Sequence, residues 1–321
     1  MKFTDAILDA TKIGMERDRD SIFIGLGVND ERGLQGTTKG LVDQFGEERV
    51  FDIPVAEDGM MGFAVGAALG GVRTIFNHAR IDFLLLTFNQ LFNVACKYSY
   101  MFNGAYNCPL LIRALVGHGW GAQHSQVLSS ILSSFPGVSV VMPSNPVDAK
   151  GLLLRSFRCN YPVVFIEDFQ LYDMDASVPL GYYETEFNDF DVFGQGNELT
   201  IVTLSSASRN ILEWVQSSPE LIKKCNLIIL KSVTDIPVDF LCGNLSRSGK
   251  LLFVQNGWLE FGLGAQLLRI LSNNGIKVDY SELGFPFAPS PSSVGLLSHY
   301  YINKLQFENR ISDLLSGKPN Y

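Results

Sequence analysis

Residues 49–71 read RVFDIPVAEDGMMGFAVGAALGG, and the reading of this stretch decides the fold. An apolar run of strand length, Arg49–Ala56, gives way at Glu57 to a run of Gly, Ala and Met long enough for a helix. A strand feeding directly into a helix is the repeating unit of a parallel sheet, and Glu57 falls at the C-terminal end of the strand, where open α/β sheets place their ligands. Gly62, Gly66 and Gly70 recur every four residues, so they share one helix face. Each costs about 0.5–1 kcal/mol relative to alanine in a helix, which predicts that another backbone approaches closely and that this helix lies in a subunit interface. Taken alone, Glu57 reads as a first-turn acid favoured by the helix dipole. The sharper reading is a carboxyl buried beside the interface and tuned to hydrogen-bond a ligand nitrogen.

Working outward, the same unit repeats. SIFIGLGV (21–28), VRTIFN (72–77), PLLIRAL (109–115), VSVVMP (138–143) and PVVFIED (162–168) are short apolar runs. Longer segments predict helices over Asp82–Phe102, His124–Ser134 and Pro146–Phe157 between them. Strands apolar on both faces, alternating with helices, imply a mostly parallel sheet covered on both sides. The pattern lapses over Asp168–Asn197, which is acidic, aromatic and turn-rich and reads as a linker. It resumes with LTIVTL, a helix from Ser206, NLIILK, KLLFVQ, a helix from Gly262, and IKVDYSEL. The expected fold is α/β in two domains, residues 1–187 and 188–321.

Composition narrows the function. With 321 residues, 46% hydrophobic and 18% charged, the chain can bury a large core. A net charge of −8 without a basic stripe excludes a nucleic-acid footprint. Five dispersed cysteines, none in CxxC spacing, read as reduced thiols. The N-terminus MKFTDAILDATKIG is an amphipathic helix start rather than a signal peptide, and no stretch is long and apolar enough to span a bilayer. A cytoplasmic protein without nucleic-acid or membrane partners is the expectation.

The histidines supply the other candidates. GHGWGAQHSQ (117–126) is a glycine-rich loop after a strand, delivering His124 to the rim that carries Glu57. His118 sits in the same loop and His78 ends another strand there, so three of the four histidines map to one edge; His299 reads as structural. A capping or loop histidine is the plainer reading of His124. No GxGxxG, no GxxxxGK[ST], no GxSxG and no spaced histidine–carboxylate metal set occurs. A phosphorylated cofactor would need its phosphate cradle from another polypeptide.

These pieces together resemble the beta subunits of thiamine diphosphate-dependent 2-oxo acid dehydrogenases (pyruvate, branched-chain and acetoin types), relatives of transketolase. The resemblance is carried by DIPVAEDGMMGFAVGAALGGVR, FNQLFNVACKYSYMFNG, VGHGWGAQHSQ and PGVSVVMPSNPVDAKGLLLRSFRCNYPVVFIED, and runs from about Phe3 to Leu315. It implies a transketolase-like pyrimidine-binding domain followed by a transketolase C-terminal-like domain. It also implies an alpha partner whose GDG motif binds magnesium and the diphosphate, in an α2β2 heterotetramer that serves a lipoyl acyltransferase. Glu57 matches the carboxyl that bonds the aminopyrimidine, Phe83 the aromatic packed on that ring, Val55 and Ala79 walls of the same pocket, and His124 the histidine near the reacting carbon. No metal ligand is implied in this chain.

Three positions depart from the family pattern. Leu26 and Gly27 stand where an acid usually joins a carboxylate chain between the two active sites. Ala79 replaces a longer pocket residue. Cys159, in RSFRCNYP, replaces the aspartate of a potassium-binding loop, which counts against a bound potassium ion. These departures keep open an alternative, a split transketolase-like enzyme that moves a two-carbon unit to a sugar or other small acceptor. A non-catalytic partner that keeps only the fold is the third reading, and the joint presence of Glu57, Phe83 and His124 weighs against it.

Overall fold

The computed structural model describes residues 1–317. Helix α1 (Phe3–Arg17) leads into β1 (Ile22–Gly25); a loop and the short α2 (Leu41–Phe45) follow, then β2 (Val50–Asp52), α3 (Glu57–Leu69) and β3 (Thr74–His78). A broken helical run ending in α4 (Cys96–Met101) precedes β4 (Leu110–Val116), α5 (Ser129–Ser133), β5 (Ser139–Val141), α6 (Pro146–Ser156) and β6 (Val163–Asp168). These six strands form one sheet in the order β2-β1-β3-β4-β6-β5, parallel throughout. β3, β4, β5 and β6 are buried along their whole length, as expected for strands covered on both faces. Because all run the same way, His78, Val116 and Asp168 end on a single rim.

Helices α1 and α6 pack together on one face. A Cβ on Gly14 would come within 2.6 Å of the Phe157 ring, so glycine is what lets α1 lie against the end of α6. Helix α3 and the 81–101 run cover the other face through Met61, Ala64, Val65 and Ala68 on α3 and Leu84, Leu91 and Phe92 on the run. The opposite side of α3 is bare: a Cβ on Gly59 or Gly66 would meet nothing within 4 Å, and one on Gly62 only the Gln90 side chain at 3.7 Å.

The second sheet contains β7 (Phe190–Phe193), β8 (Leu199–Leu204), β9 (Cys225–Leu230), β10 (Lys250–Trp258) and β11 (Asp279–Phe285), ordered β11-β10-β8-β9-β7. Its helices are α7 (Ser205–Gln216), α8 (Pro219–Lys224), α9 (Val238–Ser248), α10 (Leu263–Asn273), α11 (Val294–Tyr300) and α12 (Lys304–Ser316). All its pairings are parallel except β7 against β9. The two sheets share an apolar cluster, in which Met142 and Val164 belong with Val202 and Ile228. A buried ion pair, Lys231 Nζ to Asp148 Oδ1 at 2.6 Å, crosses between them.

Three local expectations change. β7 lies inside the stretch read as a linker; as an edge strand it is only half-buried, so an acid between its aromatics, Asp191, is tolerated and masks it. The single helix expected over Asp82–Phe102 is a 3-10 turn (Ile81–Thr87), a π-helical segment (Asn89–Ala95) and then α4. Changes of helical pitch of this kind re-aim side chains and cluster at functional sites. The helix expected over His124–Ser134 shrinks to α5, so His124 lies in a turn rather than at a helix start.

Candidate active site

Glu57 is the first residue of α3. Ala56 precedes it in a non-helical conformation with no side chain to cap the helix, and the acids Glu57 and Asp58 stand in the first turn, where the helix dipole favours negative charge. Glu57 is only 8% exposed, and among the described residues its carboxyl has neither a hydrogen-bond nor an ion-pair partner. The side chain is largely covered while its carboxyl oxygens stay open to solvent, where a ligand can reach them.

Helix α3 packs against the 3-10 turn that carries Asp82 and Phe83. The half-buried Phe83 ring stands edge-on to the His124 imidazole, centroids 5.9 Å apart and planes at 77°. Just before it, Asp82 Oδ1 accepts a hydrogen bond from Gln126 Nε2 at 2.7 Å. Burial pushes the Asp82 carboxyl upward, opposed by the Gln126 bond and by the charge of His124. The turn and the histidine loop are therefore clasped at two adjacent positions.

Glycines shape that loop. A Cβ on Gly117 would lie 2.0 Å from the His124 carbonyl and 2.2 Å from the Trp120 ring. Gly119 and Gly121 take left-handed φ values of +68° and +87°, which other residues adopt only with strain. The Trp120 ring carries the Arg80 guanidinium 4.1 Å above its centre. From the other end of the chain, the Tyr301 ring lies tilted against that of His118, centroids 4.1 Å apart and planes at 39°, and its hydroxyl accepts from the Gly119 amide at 3.1 Å. Burial lowers the His118 pKa, and a cavity of about 460 Å³ opens beside this ring toward Ser206 and Arg209 of α7. On the same rim, Asp168 accepts hydrogen bonds from Ser206 Oγ and the Gln170 amide.

His78 is fully buried against Phe76, ring centroids 4.3 Å apart, with Nε2 unpartnered. Desolvation drives it down to about 3, so it is neutral near neutral pH. Ala79, half-buried, accepts from Arg80 Nη1 through its carbonyl. Val55 is 80% exposed on the turn before α3. Of the residues singled out in the sequence, Phe83 and His124 are thus in ring contact, Glu57 heads the helix packed against the turn that carries Phe83, and Val55 faces outward. Asp82, Gln126 and Tyr301 escaped sequence reading. Asp82 carried a weak signal as an acid opening a helical run, whereas nothing local marks Tyr301, 182 positions from its partner.

At the departures from the family pattern, Gly27 takes φ +73° and Leu26 packs against the core. The Cys159 carbonyl is engaged by Arg73 Nη1 at 2.6 Å, and Arg73 Nε donates in turn to Asp18 Oδ2 at 2.8 Å. Among the described residues no helix is long and apolar enough to cross a membrane.

The family described as "Transketolase, pyrimidine binding domain" matches residues 1–174. The chain is 32% identical to the beta subunit of acetoin:2,6-dichlorophenolindophenol oxidoreductase from Bacillus subtilis, over 94% of this chain and 93% of that one. It is 31% identical to the pyruvate dehydrogenase E1 component subunit beta of Rickettsia conorii, over 92% and 93%. With the 2-oxoisovalerate dehydrogenase subunit beta of Bacillus subtilis it shares 31% over 98% of both. Among solved structures, a split-gene transketolase described as an inactive beta4 tetramer superposes with TM-score 0.78 at 17% identity, covering 99% of this chain and 97% of that one. With this matched domain and these relatives aligned over more than nine-tenths of both chains, on a two-sheet α/β fold, the chain belongs to the transketolase-like family of 2-oxo acid dehydrogenase beta subunits.

Proposed function

We propose that this chain is the beta half of a thiamine diphosphate-dependent 2-oxo acid dehydrogenase, completing its site with an alpha subunit and passing the acyl group to a lipoyl acceptor. The observation that carries the reading is Glu57: a largely covered side chain whose carboxyl has no protein partner among the described residues, at the head of a helix on the rim where the strands end. That carboxyl fits an aminopyrimidine, whose weakly basic ring nitrogen needs an acid with which to share a proton. When bound, thiamine diphosphate supplies the carbon nucleophile and the electron sink. In this reading Glu57 holds a proton against the ring nitrogen and Phe83 covers the ring. Ala79 and Val55 wall the pocket, the exposure of Val55 ending when the alpha subunit docks. His124, whose Nδ1 is buried without a partner, holds and moves a proton at the reacting carbon.

The diphosphate and magnesium fall to the alpha subunit's GDG motif, because no phosphate-cradling loop occurs here. The bare glycine face of α3 supports an α2β2 assembly in which a neighbouring helix lies on Gly62 and Gly66. A boundary between residues 187 and 188, no potassium site at Cys159 and a cytoplasmic location belong to the same reading. The split-transketolase likeness, at 17% identity, speaks for the fold and adds nothing for transfer to a sugar.

The test is reconstitution. Co-expressed with its alpha subunit, the chain is expected to turn over pyruvate, a branched-chain 2-oxo acid or acetoin only when thiamine diphosphate and magnesium are added. Turnover of a ketose phosphate donor and none of these three would overturn the proposal in favour of the transketolase-like alternative.

A further inference from the structure

The Asp82 carboxyl is buried at 8% exposure, yet only one of its oxygens is bonded: Oδ1 receives Gln126 Nε2, while Oδ2 has no partner. A buried carboxylate with a free oxygen is an expensive way to tie down a turn, since Asn or Ser would accept the same bond without a charge. Its neighbour Phe83 touches the ring of His124, and Gln126 lies two residues beyond His124. His124 Nδ1 is itself buried and unpartnered. The charged groups whose fields meet here are Asp82, His124 and Arg80, which lies over Trp120 and feels the charge of Asp82.

We propose that Asp82 is a positioning residue of this site. Through Gln126 it holds the 124–126 turn so that the His124 imidazole stays edge-on to Phe83, and its free oxygen sets the charge next to that imidazole. The argument for the clasp is independent of any cofactor; only its consequence for turnover rests on the thiamine reading. A side chain kept merely for stability would serve as well uncharged. A side chain that supports a proton-handling histidine needs the negative charge, and the clasp delivers it without touching substrate.

Two measurements separate the clasp from the thiamine reading. In the isolated chain, carbon-13 NMR of the Asp82 carboxyl follows its titration, and His124→Gln is expected to move the midpoint upward, because a nearby positive charge is lost. An unmoved midpoint overturns the proposal whatever the enzyme does. In the assembled enzyme, Asp82→Asn is expected to lower kcat roughly 10- to 100-fold with KM changed less than about twofold, because a misplaced His124 affects the chemical step more than binding. Asp82→Glu is expected to recover part of the loss. Equal kcat in wild type and Asp82→Asn, or no difference between the Asn and Glu variants, overturns it. Should Asp82→Asn fold poorly, Gln126→Ala opens the same clasp from its less buried side and is expected to lower kcat in the same way.

Discussion

Tyr301, near the C-terminus, lies with its ring 4.1 Å from that of His118 and takes the Gly119 amide hydrogen at 3.1 Å. The second half of the chain thereby holds the glycine loop that displays the histidines of the first. Tyr301→Phe keeps the ring contact but strands the Gly119 amide, so the free energy of unfolding is expected to fall by about 1–3 kcal/mol. Denaturant titration measures this, and an unchanged midpoint would show that water replaces the hydroxyl at no cost.

The glycine face of α3 predicts a split between folding and assembly. Gly66 has open space where a side chain would stand, so Gly66→Leu is expected to leave the isolated chain as stable as before, or about 0.5–1 kcal/mol more stable through helix propensity. It is expected at the same time to abolish association with its partners. Sedimentation velocity reads the outcome, and an intact heterotetramer would remove the face from the interface.

Asp168 predicts a pH dependence. Burial raises its carboxyl from 3.8 to about 6, against the opposing hydrogen bonds from Ser206 and the Gln170 amide. A carboxyl that grips its proton more tightly when folded makes the folded state bind more protons. Its contribution therefore favours folding below pH 4 and turns progressively unfavourable as pH rises through 6. Asp168→Asn removes this drift. The stability of the variant relative to wild type is expected to climb by on the order of 2–3 kcal/mol between pH 4 and pH 7. Parallel melts across that range check it; a constant difference contradicts the assignment.

Much of this was legible before any coordinates. Burial on both faces makes LLIRALV and VVFIED largely apolar runs, interrupted only by Arg113 and by the closing Glu167 and Asp168, so the parallel sheet can be read directly, and the break at Glu57 marks the rim. The loop that carries His124 is legible because glycines announce it, but its turn reads as a helix: a glycine-rich approach and a helical start look alike without the φ values of Gly119 and Gly121. The half-exposed edge strand Phe190–Phe193 is hidden by its one acid, Asp191, and the acidic stretch around it. Asp82 and Tyr301 were invisible for another reason. Their meaning lies in the partners Gln126 and Gly119, distant in sequence, and nothing periodic encodes such a contact.

Glu57 carries the account, and one substitution tests it most directly. Glu57→Gln keeps the shape and hydrogen-bonding capacity of the side chain but removes the proton that an aminopyrimidine needs. In the enzyme assembled with its alpha subunit, thiamine-dependent turnover of 2-oxo acid is expected to drop at least roughly 100-fold, while the heterotetramer and its melting temperature stay as in wild type. Turnover equal to wild type in that intact assembly would contradict the account.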